Sequence, residues 1–252
     1  MKTEKLRYAG SQGYELTGFL DLPEEGTPKA IALFAHCFTC NKHLKAVRNI
    51  ADALVNEDFG VFRFDFTGLG ESEGDFADTN FSSNVDDLIS TATFLRSRGQ
   101  PPSLLIGHSL GGAAVLHAAR QIEDIRGVVT IGAPSRPEHV THHFTHAIDD
   151  IRQQGHAEVQ LAGRPFTIKA QFVEDLEAST IEASIQALRC ALLVMHSPFD
   201  QTVGIDNAAQ IFQKAKHPKS FISLDQADHL LNDRRDSRYA GGMIAAWSMR
   251  YV

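Results

Sequence analysis

The chain has little cysteine, and this limits how its fold can be held together. Its 252 residues include three cysteines, Cys37, Cys40 and Cys190. An odd number this small cannot supply the disulfide framework of a small secreted domain. The composition therefore predicts reduced thiols and a fold that is held together by a hydrophobic core.

Long apolar runs and clusters of basic residues are also absent. No stretch reaches the roughly 20 apolar residues that cross a bilayer, and the opening residues MKTEKLRYAG contain no apolar leader. The formal net charge is −7, and no run of Lys or Arg is dense enough to follow a phosphate backbone. We therefore expect a cytoplasmic protein that binds neither membranes nor nucleic acid.

Short apolar runs alternate with amphipathic segments along most of the chain, which predicts a single α/β domain over residues 1–252. A hairpin is expected at 4–9 and 14–23, at the edge of a mostly parallel eight-stranded sheet with helices on both faces. A helix is predicted over 41–60, beginning at Asn41 and ending at Gly60. The other strands are predicted at 30–36, 61–66, 103–108, 127–134, 191–198 and 220–224.

One segment interrupts this alternation. Residues 135–190 lie where a connection of a few residues would suffice, so we interpret them as an insertion with structure of its own. Insertions at the carboxyl edge of a sheet commonly cover a functional site, which favours a small cap. Within it, AEVQLAGRPFTIKAQF alternates around Gly163-Arg164 as a hairpin does.

Two segments match the Gly-x-Ser-x-Gly pattern of a nucleophilic serine, one around Ser72 and one around Ser109. Such a serine needs a sharp turn from a strand into a helix. Ser109 follows the apolar run SLLI and precedes the helical AAVLHAAR, whereas Ser72 follows a loop and lies between two glutamates. Because those charges would oppose an oxyanion, the context favours Ser109 as the nucleophile and a polar turn for Ser72.

A serine nucleophile needs a base and an acid that orients the base. In the order Ser, acid, His, the acid follows a late strand and the His follows the last strand. Asp200 stands just beyond ALLVMHSPF, and His229 stands just beyond SFISL. The competing residues are less well placed in the chain: Asp206, His217, Asp225 and Asp228. We therefore predict Ser109, Asp200 and His229 as a catalytic triad.

The oxyanion of such a reaction needs two N–H donors. The predicted donors are the amide of Leu110, directly after the nucleophile, and the amide of Phe38, after the strand at 30–36. Aromatic residues and the neighbour of the nucleophile are the candidate substrate contacts: Phe38, His108, Phe144, Phe166 and Phe199.

Two clusters contain metal-ligand residue types, but neither has a metal-binding pattern. His36, Cys37, Cys40 and His43 lack the second pair that zinc sites use. The other cluster would share one face of a helix without any interleaved carboxylate or cysteine: His139, His142, His143 and His146. We expect no metal and no cofactor, while a redox role for Cys37-x-x-Cys40 stays open.

Several segments resemble the α/β-hydrolase superfamily, in particular the hydrolase portion of bacterial proteins in which this domain is fused to an OsmC-like domain. They are FAHCFTCNKHLKA, RFDFTGLGESEGDF, TNFSSNVDDL, IGHSLGGAAVL and AGRPFTIKAQF. The resemblance covers nearly the whole chain and implies the α/β-hydrolase fold and an esterase-like or S33-peptidase-like activity. It also implies that Asp65 through Ser72 form a structural turn near the site. Cys37 stands where glycine is common in relatives.

The predicted function is that of a serine hydrolase that cleaves a small or short-acyl carboxylic ester through an acyl-enzyme. Peptides, amides and thioesters remain open as substrates, because one triad serves all of them. A non-catalytic homologue that binds a small ligand is the alternative from another class. Dehalogenases and epoxide hydrolases are disfavoured, since they carry Asp at the position of Ser109.

Overall fold

The computed structural model describes residues 1–161 and 163–252, and an eight-stranded sheet forms the centre of this part of the chain. The described residues form these eight strands and two more, β7 and β8, which pair with each other. The strands are β1 (Lys2–Ala9), β2 (Glu15–Leu22), β3 (Ile31–Ala35), β4 (Gly60–Phe64), β5 (Pro102–His108), β6 (Gly127–Ile131), β7 (His156–Leu161), β8 (Arg164–Lys169), β9 (Ala191–His196) and β10 (Lys219–Ser223). The sheet order is β1-β2-β4-β3-β5-β6-β9-β10, and neighbouring strands are parallel except for the two pairs that include β2. The predicted sheet, with its antiparallel hairpin at one edge, is confirmed.

Helices cover both faces of the sheet, as an α/β fold requires. In the described residues they are α1 (Lys45–Val55), α2 (Phe81–Ser97), α3 (Leu110–Ala118), α4 (Ile148–Gln154), α5 (Ala170–Ala178), α6 (Glu182–Gln186), α7 (Asp206–Lys214) and α8 (Arg234–Ser248). α1 and α8 pack together on one face, and α2 and α3 pack together on the other. None of these helices has the length and apolar content needed to cross a membrane.

The chain leaves the sheet after β6 and returns to it at β9. Between them lie a 3₁₀ segment (Pro137–Ala147), α4, the antiparallel hairpin of β7 and β8, α5 and α6. The hairpin pairs Leu161 with Arg164, next to Gly163 as predicted, while Ala162 lies outside the described residues. Apolar residues of this insertion belong to the same buried cluster as those of the sheet. The insertion is therefore packed onto the sheet domain.

The start of α1 differs from the sequence-based prediction. α1 begins at Lys45 rather than at Asn41, whose side chain accepts a hydrogen bond from the N–H of His43 in a tight turn. Gly60 opens β4 instead of ending the helix, because the chain has already turned at Asp58, where φ is +65°. Helical spacing of apolar residues does not reveal that the first part of this segment is used as a loop.

Two neighbouring glycines of α8 are expected to respond oppositely to alanine. A Cβ at Gly241 would lie 2.6 Å from Ala53 Cβ and 3.0 Å from the Ile50 carbonyl oxygen, whereas a Cβ at Gly242 meets nothing within 4 Å. Gly242→Ala should raise the free energy of unfolding by about 0.5–1 kcal/mol through helix propensity. Gly241→Ala should lower it by about 1 kcal/mol, because crowding of α1 outweighs that gain. Urea unfolding measures both, and a stabilised Gly241→Ala would contradict this close helix contact.

Candidate active site

Ser109 occupies the turn between β5 and α3. Its backbone has φ 56° and ψ −127°, a conformation that residues with a side chain rarely adopt. The turn is tight enough that a Cβ at Gly107 would lie 2.3 Å from the carbonyl oxygen of Gly111. Glycine at position 107 therefore permits the turn, which places the serine at the carboxyl end of a central strand.

The structure brings Ser109 together with Asp200, which follows β9, and His229, which follows β10. His229 Nε2 is 2.9 Å from Ser109 Oγ, and His229 Nδ1 is 2.8 Å from Asp200 Oδ2. The imidazole thus lies within hydrogen-bonding distance of the hydroxyl on one side and the carboxylate on the other.

The Asp200 carboxylate is oriented by its own loop. Oδ1 accepts hydrogen bonds from the N–H groups of Thr202 at 2.8 Å and Val203 at 2.9 Å, while Oδ2 faces His229. Burial raises the pKa of Asp200, but the hydrogen bond and charge of His229, together with these N–H groups, outweigh burial and lower it. Asp200 is therefore ionised at neutral pH and accepts a hydrogen bond from Nδ1.

The competing residues have other partners. Ser72 Oγ donates to the Asp65 carbonyl oxygen at 2.6 Å and accepts from the Thr17 N–H at 2.9 Å, so its hydroxyl holds a turn against β2. Asp228 accepts hydrogen bonds from the backbone and side-chain amides of Asn232 at 2.9 and 2.8 Å. These contacts give both residues local structural roles.

The loop between β3 and α1, residues 36–44, carries Phe38. Within the described part of the chain, the N–H groups of Phe38 and Leu110 donate to no backbone carbonyl. The loop touches the Ser109 turn, because a Cβ at Gly111 would lie 2.4 Å from the His36 carbonyl oxygen. Both predicted donors therefore border the same region beside Ser109.

A buried lysine fixes the far part of the β3–α1 loop. Lys42 Nζ contacts Asp65 and lies 2.7 Å from Glu71 Oε2, and the Lys42 N–H donates to Asp65 Oδ1 at 2.7 Å. Hydrogen bonds from Lys42 and from Lys5 lower the pKa of Glu71 to about 2. Because unpairing a buried charge is costly, this network restrains the loop. No pattern in the sequence indicates that Lys42 is buried.

The expectation of reduced thiols is wrong for two of the three cysteines. Cys37 and Cys40 form a disulfide with their Cα atoms 5.3 Å apart, and Cys190 is a free thiol. The chain turns back at Thr39, where φ is +60°, and the Cys40 N–H donates to the Cys37 carbonyl oxygen at 3.1 Å. This turn brings the two sulfur atoms together, and a count of cysteines carries no information about it.

The candidate substrate contacts occupy different environments. Phe38 packs against Phe76 with ring centroids 5.7 Å apart, and Phe166 of the insertion packs edge-on against Phe76 at 4.9 Å. Phe144 is fully buried beside Phe38, so it belongs to the core between the loop and the insertion. Phe199 is 63% exposed, next to Asp200 in the chain.

A small cavity adjoins the two predicted oxyanion donors. Its walls include Phe38, Leu110, Phe76, Ala114 and Asn84. The volume of this cavity that the centre of a water molecule can occupy is about 10 Å³. This is roughly enough for one water molecule. A large group could enter only if the walls moved.

The histidines of the insertion do not share one helical face, because this segment is a 3₁₀ helix with a kink at Phe144. His139 and His142 stack with centroids 4.7 Å apart, and His139 Nε2 lies 3.1 Å from the Thr202 carbonyl oxygen. Burial, and then the charge of His229, lower the pKa of His143. Across residues 1–161 and 163–252, no group of three or more His, Cys, Asp or Glu is arranged to hold a metal.

His108, one of the candidate substrate contacts, is buried behind the site. Its Nε2 lies 2.7 Å from the carbonyl oxygen of His229, and the two rings pack with centroids 5.1 Å apart. Burial and the charge of His229 lower the pKa of His108 to about 3, so the ring is neutral and Nε2–H donates to the carbonyl. The contact that the structure gives His108 therefore holds the His229 loop.

Gly132 is a further residue of the site that the sequence did not indicate. Its φ is +54°, and a Cβ there would lie 3.1 Å from Asp200 Oδ2 and 3.4 Å from His229 Nδ1. A side chain at this position would crowd the pair. The only sequence signal is a glycine that directly follows a strand.

Replacing His108 should separate its hydrogen bond from its titration. His108→Phe removes the donor and should lower the free energy of unfolding at pH 7 by about 1–3 kcal/mol, whereas His108→Gln retains an N–H donor and should lower it less. The folded-state pKa lies below the ordinary value of 6.5, so the unfolded chain binds the extra proton as pH falls towards 3. Wild type should therefore lose more stability than either variant over this range. Parallel pH profiles from urea unfolding would contradict a buried neutral His108.

Comparisons with known proteins identify the family and the fold. The family model for serine aminopeptidase S33 matches residues 26–178. The crystal structure of the esterase domain from a Rhodothermus marinus protein is 47% identical, covers 100% of this chain and 99% of its own, and superposes with a TM-score of 0.81. Est1E from Butyrivibrio proteoclasticus with bound ferulic acid is 16% identical over 98% of each chain, with a TM-score of 0.79.

A curated relative extends the comparison to a mammalian protein. The mitochondrial palmitoyl-protein thioesterase ABHD10 of Mus musculus is 24% identical over 186 residues. The match covers 69% of this chain but only 60% of the thioesterase. With the fold, the turn at Ser109 and the matched region taken together, the chain belongs to the S33 serine aminopeptidase family within the α/β-hydrolase superfamily.

Proposed function

We propose that this hydrolase cleaves carboxylic esters through an acyl-enzyme formed on Ser109. The observation that carries the proposal is the position of His229, 2.9 Å from Ser109 Oγ and 2.8 Å from Asp200 Oδ2. A serine hydroxyl is a weak nucleophile by itself, and an adjacent oriented base is what activates it. The arrangement has both contacts that this chemistry needs.

In the proposed reaction, Ser109 Oγ attacks the acyl carbon while His229 Nε2 accepts its proton. Asp200, ionised because its pKa is low, holds Nδ1–H and stabilises the imidazolium that forms. The imidazolium then protonates the leaving alcohol as the tetrahedral intermediate collapses to the acyl-enzyme. Water attacks in the second half of the cycle with the same base, which releases the acid and restores the hydroxyl.

The amides of Phe38 and Leu110 are proposed to stabilise the oxyanion. Their N–H groups have no backbone acceptor in the described part of the chain, and the amide of Leu110 begins α3, whose dipole also favours negative charge. Removal of one such donor typically costs about 3 kcal/mol of transition-state stabilisation. The restraint of the β3–α1 loop by Lys42 is consistent with this role.

We propose an ester rather than another acyl substrate because the chain is similar to the esterase domain of a Rhodothermus marinus protein. That esterase domain is the 47%-identical structure that aligns along essentially its whole length. A thioester is the second candidate, supported by the palmitoyl-protein thioesterase at 24% identity. The cavity beside Phe38 and Leu110, with about 10 Å³ open to a water centre, favours short acyl groups over palmitoyl.

A fluorophosphonate probe tests the nucleophile. It should label wild type on the peptide that carries Ser109, and labelling should be lost in Ser109→Ala but retained in Ser72→Ala, whose hydroxyl holds a turn. Hydrolysis of nitrophenyl acetate should fall by at least about 10⁴-fold in Ser109→Ala. Intact-mass and peptide mapping measure the labelling. Labelling that persists in Ser109→Ala would overturn the proposal.

Acyl-chain preference tests the cavity. Wild type should hydrolyse nitrophenyl acetate and propionate faster than octanoate, because the cavity walls leave little room. Phe76→Ala removes one wall and should raise the octanoate-to-acetate ratio of kcat/KM by about tenfold or more. Phe221→Ala, on the edge strand β10, should leave the ratio unchanged. The ratio is independent of the folded fraction, and an unchanged ratio in Phe76→Ala would remove this cavity from the acyl site.

A further inference from the structure

We propose that the Cys37–Cys40 disulfide is a site of reversible thiol–disulfide exchange with small-molecule thiols, and that its opening lowers the hydrolase activity. The disulfide lies in the β3–α1 loop and encloses Phe38 and Thr39. The effect on activity rests on the proposed function, because Phe38 carries one of the two proposed oxyanion donors. The exchange itself can be measured without any hydrolase assay.

The enclosed turn has a backbone that needs restraint. Thr39 has φ +60°, and a β-branched residue seldom adopts a positive φ unless its surroundings hold it there. Three contacts do so: the disulfide, the hydrogen bond from the Cys40 N–H to the Cys37 carbonyl oxygen, and a hydrogen bond from Arg164 to the Thr39 carbonyl oxygen. The disulfide is the covalent one of these three.

The disulfide lies between two fixed points of the loop. On one side, β3 ends at Ala35 and a Cβ at Gly111 would touch the His36 carbonyl oxygen, so this part is packed against the Ser109 turn. On the other side, Lys42 is held by Asp65. Opening the disulfide frees the backbone between these points, which is where the Phe38 amide lies. An oxyanion donor must be held rigidly to be effective, so activity should fall.

The two cysteines differ in how deeply they are buried, and this sets the direction of attack. Cys37 is 4% exposed, whereas Cys40 is only partly buried. An external thiolate therefore attacks Cys40 Sγ, the S–S bond breaks, and Cys37 Sγ leaves as a thiolate that takes a proton from solvent. A second thiol attacks the mixed disulfide and releases the Cys40 thiol. In sum, two small thiols are oxidised to one disulfide and the protein disulfide is reduced to two thiols.

The third cysteine is not part of this exchange. Cys190 directly precedes β9, at the opposite end of the sheet from the β3–α1 loop. Burial raises the pKa of Cys190 to about 11, which leaves little thiolate at neutral pH. Cys190→Ser therefore gives a background in which every change in thiol number reports on Cys37 and Cys40.

The first measurement counts thiols in Cys190→Ser by iodoacetamide labelling and mass spectrometry. After treatment with oxidised glutathione, the folded protein should carry no free thiol. After treatment with reduced glutathione or dithiothreitol it should carry two, and renewed oxidation should restore the first state. Two thiols after oxidation, or none after incubation with dithiothreitol, would overturn the exchange proposal.

The second measurement compares kcat for nitrophenyl acetate in the two states of the same protein. We expect reduction to lower kcat by about tenfold or more, because one oxyanion donor loses its fixed position, and reoxidation to restore it. The double variant Cys37→Ser/Cys40→Ser, checked for folding by circular dichroism, should have the kcat of the reduced protein. Added thiols should not change that kcat. Equal kcat in both states would overturn the proposal while leaving the proposed function intact. Absence of activity in the oxidised state would instead overturn the proposed function.

Discussion

The sharp turn at Ser109 is the constraint on which the rest of the site depends. It puts a residue with a side chain at φ 56°, a conformation that costs roughly 1–3 kcal/mol and persists only when the surroundings enforce it. The strand before it, the helix after it and two close backbone approaches supply that enforcement. Gly107 and Gly111 are required there because any Cβ would lie within 2.4 Å of a backbone carbonyl oxygen.

The same turn connects the hydroxyl to both partners of the proposed chemistry. Ser109 donates its N–H to the Ile131 carbonyl oxygen at 2.9 Å, which links it to β6, and β6 leads to Gly132 beside the Asp200–His229 pair. On its other side the turn touches the β3–α1 loop. This turn thus places the Ser109 hydroxyl beside the Asp200–His229 pair on one side and beside the proposed N–H donors of Phe38 and Leu110 on the other.

Sequence patterns predicted those features of the fold and of the candidate site that depend on residues close together in the chain. Alternating apolar segments predicted the sheet and its edge hairpin, and the strand–turn–helix context separated Ser109 from Ser72, whose hydroxyl does hold a turn. Chain order singled out Asp200 and His229 because both follow strands whose carboxyl ends share one edge. Such features follow from short-range patterns and from the topology that they imply.

What the sequence did not reveal depends on contacts between distant parts of the chain. Lys42 lies in the segment predicted as a helix, yet it belongs to the loop before α1 and is buried in contact with Asp65 and Glu71. His108 reads as a substrate contact, but its Nε2 lies 2.7 Å from the His229 carbonyl oxygen. Three cysteines predicted thiols, whereas a positive φ at Thr39 brings two of them together. Each of these depends on geometry that no residue pattern encodes.

In the proposed reaction, the hydroxyl at this turn forms a covalent intermediate with the acyl group of the substrate. Rapid acid quench of the enzyme during turnover of nitrophenyl acetate, followed by peptide mass spectrometry, tests it most directly. We expect an acetyl group on Ser109 that disappears once the substrate is consumed. Sustained turnover with Ser109 unmodified at every quench time, or with the acetyl group on another residue, would contradict it.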